Sequence, residues 1–174
     1  MKVIGIAGWS GAGKTTLLTR VIPLLTARGL RVSTIKHAHH GFDVDQPGKD
    51  SHTHRMAGAT EVLISSANRF ALMHELRGAP ELTLHALLGK LSAVDLVLVE
   101  GFKREAHPKL EVYRAVVGKP LLAPDDPNVV AIASDGPVAA RVPVVSLDDT
   151  EAVADILVAK AAPRDAVLAQ VRSA

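Results

Sequence analysis

Short apolar runs and longer apolar stripes alternate along the chain, and this alternation predicts strands and helices in turn. Residues 2–7 form a β-branched apolar run that ends in glycine, as buried strands commonly do. Residues 14–28 repeat apolar side chains at the spacing of one helix face, and Gly29 is placed to end this helix. Pro23 lies inside the stripe, which continues beyond it, so we expect a helix that is kinked but continuous.

The rest of the chain continues this pattern. The predicted strands span residues 31–36, 60–65, 69–74, 95–99, 110–116, 129–133 and 142–146. The predicted helices span residues 51–57, 81–91 and 151–162, and a short helical tail begins at Pro163. Asp50 is expected to cap the first of these helices, and Asp148-Asp149-Thr150 the last. Ala67-Asn68 separates two of these strands and favours a β-hairpin at a sheet edge. Strands that alternate with helices predict an α/β fold, in which a mostly parallel twisted sheet carries helices on both faces.

Length and composition narrow the class of protein. The chain has 174 residues, 48% of them hydrophobic and 22% charged, which predicts one globular domain over residues 1–174. No apolar run approaches the roughly 18 residues that span a bilayer, and the first apolar run breaks at Ser10 before a secretory signal develops, so we expect a cytoplasmic protein without membrane contact. The net charge is only +2, the basic residues are scattered and there are five aromatics, which argues against nucleic-acid binding. The absence of cysteine excludes thiolate metal sites.

The segment from Gly8 to Thr15 matches the phosphate-loop (P-loop) pattern G-x-x-x-x-G-K-[ST] in full, between a predicted strand and a predicted helix. Its glycines let successive backbone N–H groups point inward at a helix N-terminus, which makes a binding site for phosphate. We expect Lys14 to contact the β- and γ-phosphates, as a catalytic residue, and the Thr15 hydroxyl to ligate Mg²⁺. The predicted nucleotide-binding residues of this segment are Gly8, Ser10, Gly11, Ala12, Gly13, Lys14, Thr15 and Thr16.

A P-loop enzyme also needs an acidic residue near the metal, at the end of an apolar strand beside the first. Glu100 follows the most apolar strand at its carboxyl end, where ligands of parallel sheets bind, whereas Asp95 lies at the amino end. Gly101 allows the backbone to approach the γ-phosphate closely. We therefore predict Glu100 as a metal ligand and catalytic residue; a solvated glutamate at a strand end is the alternative.

The polar segment from Lys36 to Arg55 contains five of the eight histidines and begins at the same rim. Three interpretations remain open: a switch that closes on the nucleotide and a second anionic ligand, a transition-metal site, or a solvated loop. Asp43 and Asp45 could reach Mg²⁺ or orient the attacking water, and Asp45 is predicted as a catalytic and metal-binding residue. The residues predicted to contact a second ligand or a partner are Lys36, His37, His39, His40, Lys49 and Arg55.

Three segments together carry a more specific resemblance. The P-loop, K-H-x-H-H-x-F-D-x-D-x-P-G-K-D-S from Lys36 to Ser51, and V-E-G-F-K from Val99 to Lys103 resemble the molybdopterin-guanine dinucleotide biosynthesis adapter (MobB) family, over the chain from the first strand to about Ser146. The resemblance implies a homodimeric GTP-binding P-loop protein with weak, Mg²⁺-dependent GTPase activity. It also implies a supporting role for the guanylyltransferase that joins GMP to molybdopterin.

The identity of the nucleobase is less directly encoded. The N-K-x-D guanine signature is absent, so the preference for guanine rests on the resemblance. Asp135 follows a predicted strand at the rim, where its carboxylate could accept hydrogen bonds from guanine N1 and N2; an ordinary turn aspartate before Gly136-Pro137 is the alternative. Two other functions stay open, a nickel or zinc metallochaperone GTPase suggested by the histidines and a small-molecule kinase.

Overall fold

The structure, a computed structural model, describes residues 1–38 and 41–171. Its elements in chain order are β1 (Lys2–Ala7), α1 (Lys14–Ala27), β2 (Val32–Lys36), α2 (Asp50–Met56), β3 (Glu61–Ser65), β4 (Phe70–His74), α3 (Leu84–Lys90), β5 (Leu96–Glu100), β6 (Lys109–Tyr113), β7 (Val129–Ser134), β8 (Val144–Ser146), α4 (Thr150–Lys160), β9 (Ala162–Pro163) and α5 (Arg164–Val171). They form two compact units, one of Met1–His37 with the chain from Leu84 onward, and one of Ala38–Thr83. No helix within the described ranges is long and apolar enough to cross a membrane.

A seven-stranded sheet organises the first unit. Its main path runs β2-β5-β1-β6-β7-β8, and every neighbouring pair on this path is parallel. The short strand β9 pairs antiparallel with β1 at Lys2 and Val3, whereas β6 pairs with the later part of β1, from Gly5 to Ala7. The register places Glu100 opposite both Ile6 and Lys36. The carboxyl ends of β1, β2 and β5 therefore meet at one edge of the sheet.

Successive side chains of the central strands point to opposite faces, and each face has its own core. On one face, strand residues such as Ile4 and Leu98 pack with buried residues of α1 and α4. On the other face, strand residues such as Val3 and Val97 pack with residues of α3 and α5. The predicted fold class, a mostly parallel sheet with helices on both faces, is confirmed. Helix α1 also runs through Pro23 as predicted, since its buried stripe continues to Leu25.

The predicted β-hairpin forms but does not extend the main sheet. Strands β3 and β4 pair antiparallel, and the Ser66 N–H donates to the Arg69 carbonyl, at 2.9 Å, to close the turn. Within the described ranges they make a separate two-stranded sheet in the second unit, rather than an edge of the main sheet. The reason is that a tight turn specifies only the pairing of its own two strands and carries no information about a third.

Several predicted element ends move by a few residues. Asp149 caps α4 as expected, because its carboxylate accepts from the Ala152 N–H at 3.0 Å. Asp50, in contrast, is the first residue of α2 and not its cap, and the N-cap residue, Lys49, makes no side-chain capping bond. The strand predicted over 110–116 ends at Tyr113 and is followed by a 3₁₀ turn over Ala115–Val117.

Candidate functional site

The P-loop joins β1 to α1 at the edge where the strand ends meet. Gly8 has φ of 142°, and a Cβ at this position would lie 2.5 Å from the Val112 carbonyl oxygen, so the close approach of the loop to β6 requires glycine. Gly13 is the N-cap residue of α1 and has no side chain with which to cap the helix. The backbone N–H groups in the first turn of α1 are therefore available to a bound anion, as the sequence pattern predicts.

The ammonium group of Lys14 closes over the loop. Its Nζ donates to the carbonyl oxygens of Gly8 and Trp9, each at 3.0 Å. Partial burial lowers the pKa of Lys14, the nearby Glu100 carboxylate opposes this shift, and two further lysines, Lys103 and Lys36, add to it. A phosphate that binds here would replace two neutral carbonyl acceptors with charged oxygens.

Glu100, Thr15 and Lys36 lie together beside the P-loop, as the sequence predicts for the first two. The Thr15 hydroxyl donates to Glu100 Oε1 at 3.1 Å, and Lys36 Nζ lies 3.9 Å from Glu100 Oε2. The Glu100 side chain is 13% exposed, so its carboxylate is held within the edge of the sheet and does not extend into solvent. A hydroxyl and a carboxylate side by side are the hard oxygen donors that Mg²⁺ takes from protein when phosphates and water complete its shell. These two residues therefore fit the predicted metal.

An unusual turn follows Glu100. Gly101 and Phe102 both have positive φ angles, 100° and 50°, and the second is rare for an aromatic residue. A Cβ on Gly101 would lie 2.5 Å from the Cβ of His37, so the backbone passes close to the end of β2. The Phe102 ring lies 5.0 Å from the His37 ring, centroid to centroid. Contacts with the end of β2 thus hold a strained turn in place directly beside the predicted metal ligand.

Trp9 connects the P-loop to two other loops. Its indole Nε1 donates to the Pro120 carbonyl at 2.8 Å. Two ammonium groups lie near its ring, Lys103 Nζ at 4.8 Å and Lys119 Nζ at 5.9 Å from the centroid. The loops that follow β5 and β6 therefore both contact the P-loop through this one side chain.

Asp135 lies on the β6 side of the P-loop with a residue that sequence reasoning missed. One Asp135 oxygen accepts weakly from the Ala115 N–H at 3.4 Å, and the other lies 3.8 Å from the Arg114 guanidinium. Arg114 Nε also donates to the Ala12 carbonyl at 3.2 Å, which places its charge against the P-loop. The position of Arg114, directly after a strand at the ligand-binding edge, is the signal that could have identified it.

A buried polar cluster on β6, also absent from the sequence-based prediction, supports these loops. Glu111 is fully buried and accepts from the backbone N–H groups of Leu122 and Ala123 at 2.7 and 2.9 Å. Burial raises the pKa of Glu111, and the two N–H donors oppose that shift. Lys109, 1% exposed, donates to the Glu105 carbonyl at 2.7 Å and to Asp126 at 2.9 Å. Two buried charged side chains thus fix the loops that carry Lys103 and Lys119.

Asp45 lies in the second unit, in an ion pair with Arg55. Arg55 Nε and Nη2 donate to the two Asp45 oxygens at 3.0 and 2.8 Å, and the same guanidinium contacts Asp43 at 2.8 Å and Glu75 at 3.4 Å. Hydrogen bonding to Arg55 lowers the pKa of Asp45, and Asp45 in turn raises the pKa of Arg55. The Asp45 carboxylate is inaccessible while this pair is closed. Metal binding by Asp45, or phosphate binding by Arg55, would require the pair to open.

Replacing Asp45 with asparagine distinguishes a structural role of Asp45 in the second unit from a role in catalysis. Because Asp45 supplies both oxygens of the bidentate pair, we expect hydrogen exchange of backbone amides in residues 41–83 to become on the order of tenfold faster or more. Asp43→Asn is the matched control, since its side chain is 63% exposed and shares one Arg55 nitrogen, and it should change exchange much less. If exchange stays at the wild-type rate while triphosphate hydrolysis is lost, Asp45 acts in catalysis and not in holding the unit together.

The remaining predicted residues of the histidine-bearing segment are distributed between the units. His37 ends the first unit and donates its backbone N–H to the Glu100 carbonyl at 2.8 Å, whereas Lys49 precedes α2 in the second unit. His39 and His40 lie outside the described residues. Among the side chains that the structure describes, no group of three or more His, Cys, Asp or Glu is placed to hold a metal ion.

Comparison with known proteins identifies the family of this chain. The family model described as molybdopterin guanine dinucleotide synthesis protein B (MobB) matches residues 3–135. The molybdopterin-guanine dinucleotide biosynthesis adapter protein of Escherichia coli (strain K12) is 45% identical over 159 residues, which cover 90% of this chain and 91% of that protein. The adapter protein of the same name from Haemophilus influenzae is 40% identical over 155 residues, 89% of this chain and 86% of that protein. A crystal structure of molybdopterin-guanine biosynthesis protein B superposes with a TM-score of 0.72 at 28% identity, covering 90% of this chain and 98% of that one. The chain therefore belongs to the MobB family.

Proposed function

We propose that this protein binds GTP with Mg²⁺ at the P-loop and acts in the cytoplasm as an adapter for the attachment of GMP to molybdopterin, in the biosynthesis of molybdopterin guanine dinucleotide. The observation that carries the nucleotide part is the Thr15–Glu100 hydrogen bond of 3.1 Å beside the P-loop lysine. The adapter part is supported by membership of the MobB family and by the names of its relatives.

Each residue of the site has a distinct task in this proposal. Lys14 and the N–H groups of the first turn of α1 bind the β- and γ-phosphates, and Thr15 and Glu100 would hold the metal. A Mg²⁺ ion held by these two residues would neutralise negative charge on the phosphates. Lys36 Nζ lies 3.9 Å from the second Glu100 oxygen and would help to orient the carboxylate. Asp135 is placed on the opposite side of the P-loop from Glu100, where it would accept from a guanine ring.

The charges around the site support slow hydrolysis. Among the described residues, the cations whose charges act on Lys14 are Lys103 and Lys36, and the guanidinium of Arg114 donates to the Ala12 carbonyl and lies close to Asp135. Efficient GTPases use an arginine to stabilise charge in the transition state, which accelerates hydrolysis by about 10³ to 10⁵. Without one, we expect weak intrinsic turnover, which suits an adapter better than a stand-alone enzyme.

The hairpin supports a homodimer. Apolar side chains of β3 and β4 are strongly exposed in the second unit, Leu63 at 63%, Phe70 at 74% and Leu72 at 50%. Exposed apolar side chains grouped on one element commonly mark a protein–protein contact. A second copy of this chain is the partner that the family resemblance favours.

The second unit also carries a candidate contact for an anionic second ligand, the exposed side chain of Lys49. Among the described residues, the other candidates are Lys36 and His37 at the end of β2.

The test combines binding with product formation. Calorimetric titration of tag-free protein with GTP and with ATP, each with Mg²⁺, should show tighter binding of GTP. Guanylylated cofactor should form faster with the guanylyltransferase plus this protein than with the guanylyltransferase alone. No stimulation would contradict the adapter role, and no triphosphate binding would contradict the nucleotide role. Stoichiometric retention of Ni²⁺ or Zn²⁺ by the purified protein would instead favour a metallochaperone.

A further inference from the structure

We propose that Lys103 is a second cationic residue of the triphosphate site, and that its ammonium group moves from the face of Trp9 to the γ-phosphate when a nucleoside triphosphate binds. The inference rests on the proposed function, because it requires a triphosphate at the P-loop. Lys103 ends the V-E-G-F-K segment, directly after the turn at Gly101 and Phe102.

The position of Lys103 points to the phosphate site. Its Nζ lies 4.8 Å from the ring centroid of Trp9, the second residue of the P-loop. The charges of Lys103 and Lys36 both act on the ammonium of Lys14, and each opposes its protonation and lowers its pKa. Glu100 acts on Lys14 in the opposite direction, and Lys36 Nζ lies 3.9 Å from its carboxylate. A polyanion at the P-loop would be attracted by these three lysines.

The backbone around Lys103 is fixed on both sides. The positive φ angles of Gly101 and Phe102 direct the chain back towards the P-loop, and the Phe102 ring is held against His37. Two residues after Lys103, the Glu105 carbonyl accepts from the buried ammonium of Lys109 at 2.7 Å. The Lys103 charge can therefore change position through rotation of its flexible four-carbon side chain, without movement of the loop backbone.

The energies favour transfer to phosphate. A charge-assisted hydrogen bond from a lysine to phosphate is stronger than the contact of a lysine with an aromatic face at a partly exposed site. We therefore expect the Lys103 ammonium to leave the Trp9 ring when a phosphate oxygen is within its reach. The γ-phosphate is the expected acceptor because Lys103 follows β5, the strand that ends in Glu100, and Glu100 would hold the metal that neutralises the terminal phosphates.

Lys119 provides a matched control within the chain. It also lies near the Trp9 ring, at 5.9 Å, but it is exposed, follows β6 and is not among the charges that shift the pKa of Lys14. Removing Lys119 therefore removes a lysine near the same indole without removing a charge from the metal side of the site. Trp9 is the only tryptophan of the chain, so its fluorescence reports on this contact.

The experiment compares a triphosphate with a diphosphate. Dissociation constants for a non-hydrolysable GTP analogue and for GDP, both with Mg²⁺, are measured for the wild type, Lys103→Ala and Lys119→Ala. We expect Lys103→Ala to weaken the triphosphate analogue about tenfold or more and to change GDP less than about twofold. Lys119→Ala should change neither. Trp9 fluorescence should respond to the triphosphate in the wild type and in Lys119→Ala, but much less in Lys103→Ala.

Three results would overturn the inference: unchanged triphosphate affinity in Lys103→Ala, an equal loss for both nucleotides, or the same loss in Lys119→Ala. The wild-type measurement separates this failure from failure of the proposed function. If the wild type binds neither nucleotide, the proposed nucleotide function fails, and the role of Lys103 fails with it. If the wild type binds the triphosphate and Lys103→Ala binds it equally well, only the role of Lys103 is excluded.

Discussion

Replacing Lys14 with alanine should weaken triphosphate binding by about one to two orders of magnitude while the sheet remains folded. A charge-assisted contact with phosphate contributes about 1.5–3 kcal/mol, and each factor of ten in affinity corresponds to about 1.4 kcal/mol. The effect is limited because Lys14 is not idle without nucleotide. It donates to the Gly8 and Trp9 carbonyls, and binding exchanges these two bonds for bonds to phosphate.

Titration calorimetry with a triphosphate and Mg²⁺ measures this effect, and thermal unfolding checks the fold of the variant. Lys90→Ala at the end of α3 is the control, because it removes the same charge from a helix on the opposite face of the sheet from α1. Wild-type affinity in a folded Lys14→Ala variant would contradict the assignment of the phosphate site.

The parts of the molecule that could be predicted from sequence are those in which a local pattern has one structural solution. The P-loop pattern requires a strand before it and a helix after it, and β1 and α1 supply both. The rule that ligands bind at the carboxyl ends of parallel strands selects Glu100 over Asp95, and the register places Glu100 beside Lys36 and the P-loop. Local pattern and global topology agree at this site, and the two predicted metal ligands lie side by side, with the Thr15 hydroxyl 3.1 Å from Glu100 Oε1.

The second unit shows what sequence alone does not provide. Asp43, Asp45 and Arg55 look equally available in a polar segment, but which carboxylate meets the guanidinium depends on how the loop folds onto α2 and the hairpin. The structure places Arg55 among three carboxylates, with Asp45 the most buried of them. The sequence shows that Asp45 is polar but does not show that it is buried in an ion pair, which would have to open before Asp45 could bind a metal.

The buried charges of β6 were missed for a related reason. Lys109 and Glu111 alternate with Leu110 and Val112, which is the pattern of a strand with one solvated face. That face is instead covered by the loop that follows β6, whose backbone N–H groups bond to Glu111. Alternation of polar and apolar residues indicates which face of a strand is polar. It does not predict that a loop without regular structure will cover that face.

Glu100→Gln should lower the rate of triphosphate hydrolysis by about two orders of magnitude and change triphosphate affinity little. Two effects on affinity oppose each other. The amide is a weaker metal ligand than the carboxylate, which weakens binding, but loss of the negative charge also removes its repulsion of the phosphates beside Lys14. In the transition state the balance differs, since an oriented group that acts on developing charge commonly contributes 10²–10³ in rate.

A fall in kcat with an unchanged dissociation constant is therefore the signature of the proposed role, and single-turnover hydrolysis with a separate titration measures both quantities. Glu105→Gln makes the same chemical change five residues along the chain and should leave the rate unaltered.

Hydrolysis at the wild-type rate in Glu100→Gln would show that Glu100 is only a polar strand end. The acidic residue of the metal site would then be sought at Asp43 or Asp45. Asp43 is 63% exposed, whereas Asp45 is buried and would bind the metal only after its ion pair with Arg55 opens. Arg55→Lys, which cannot form the bidentate pair, would then accelerate hydrolysis, whereas it should have no effect if Glu100 holds the metal.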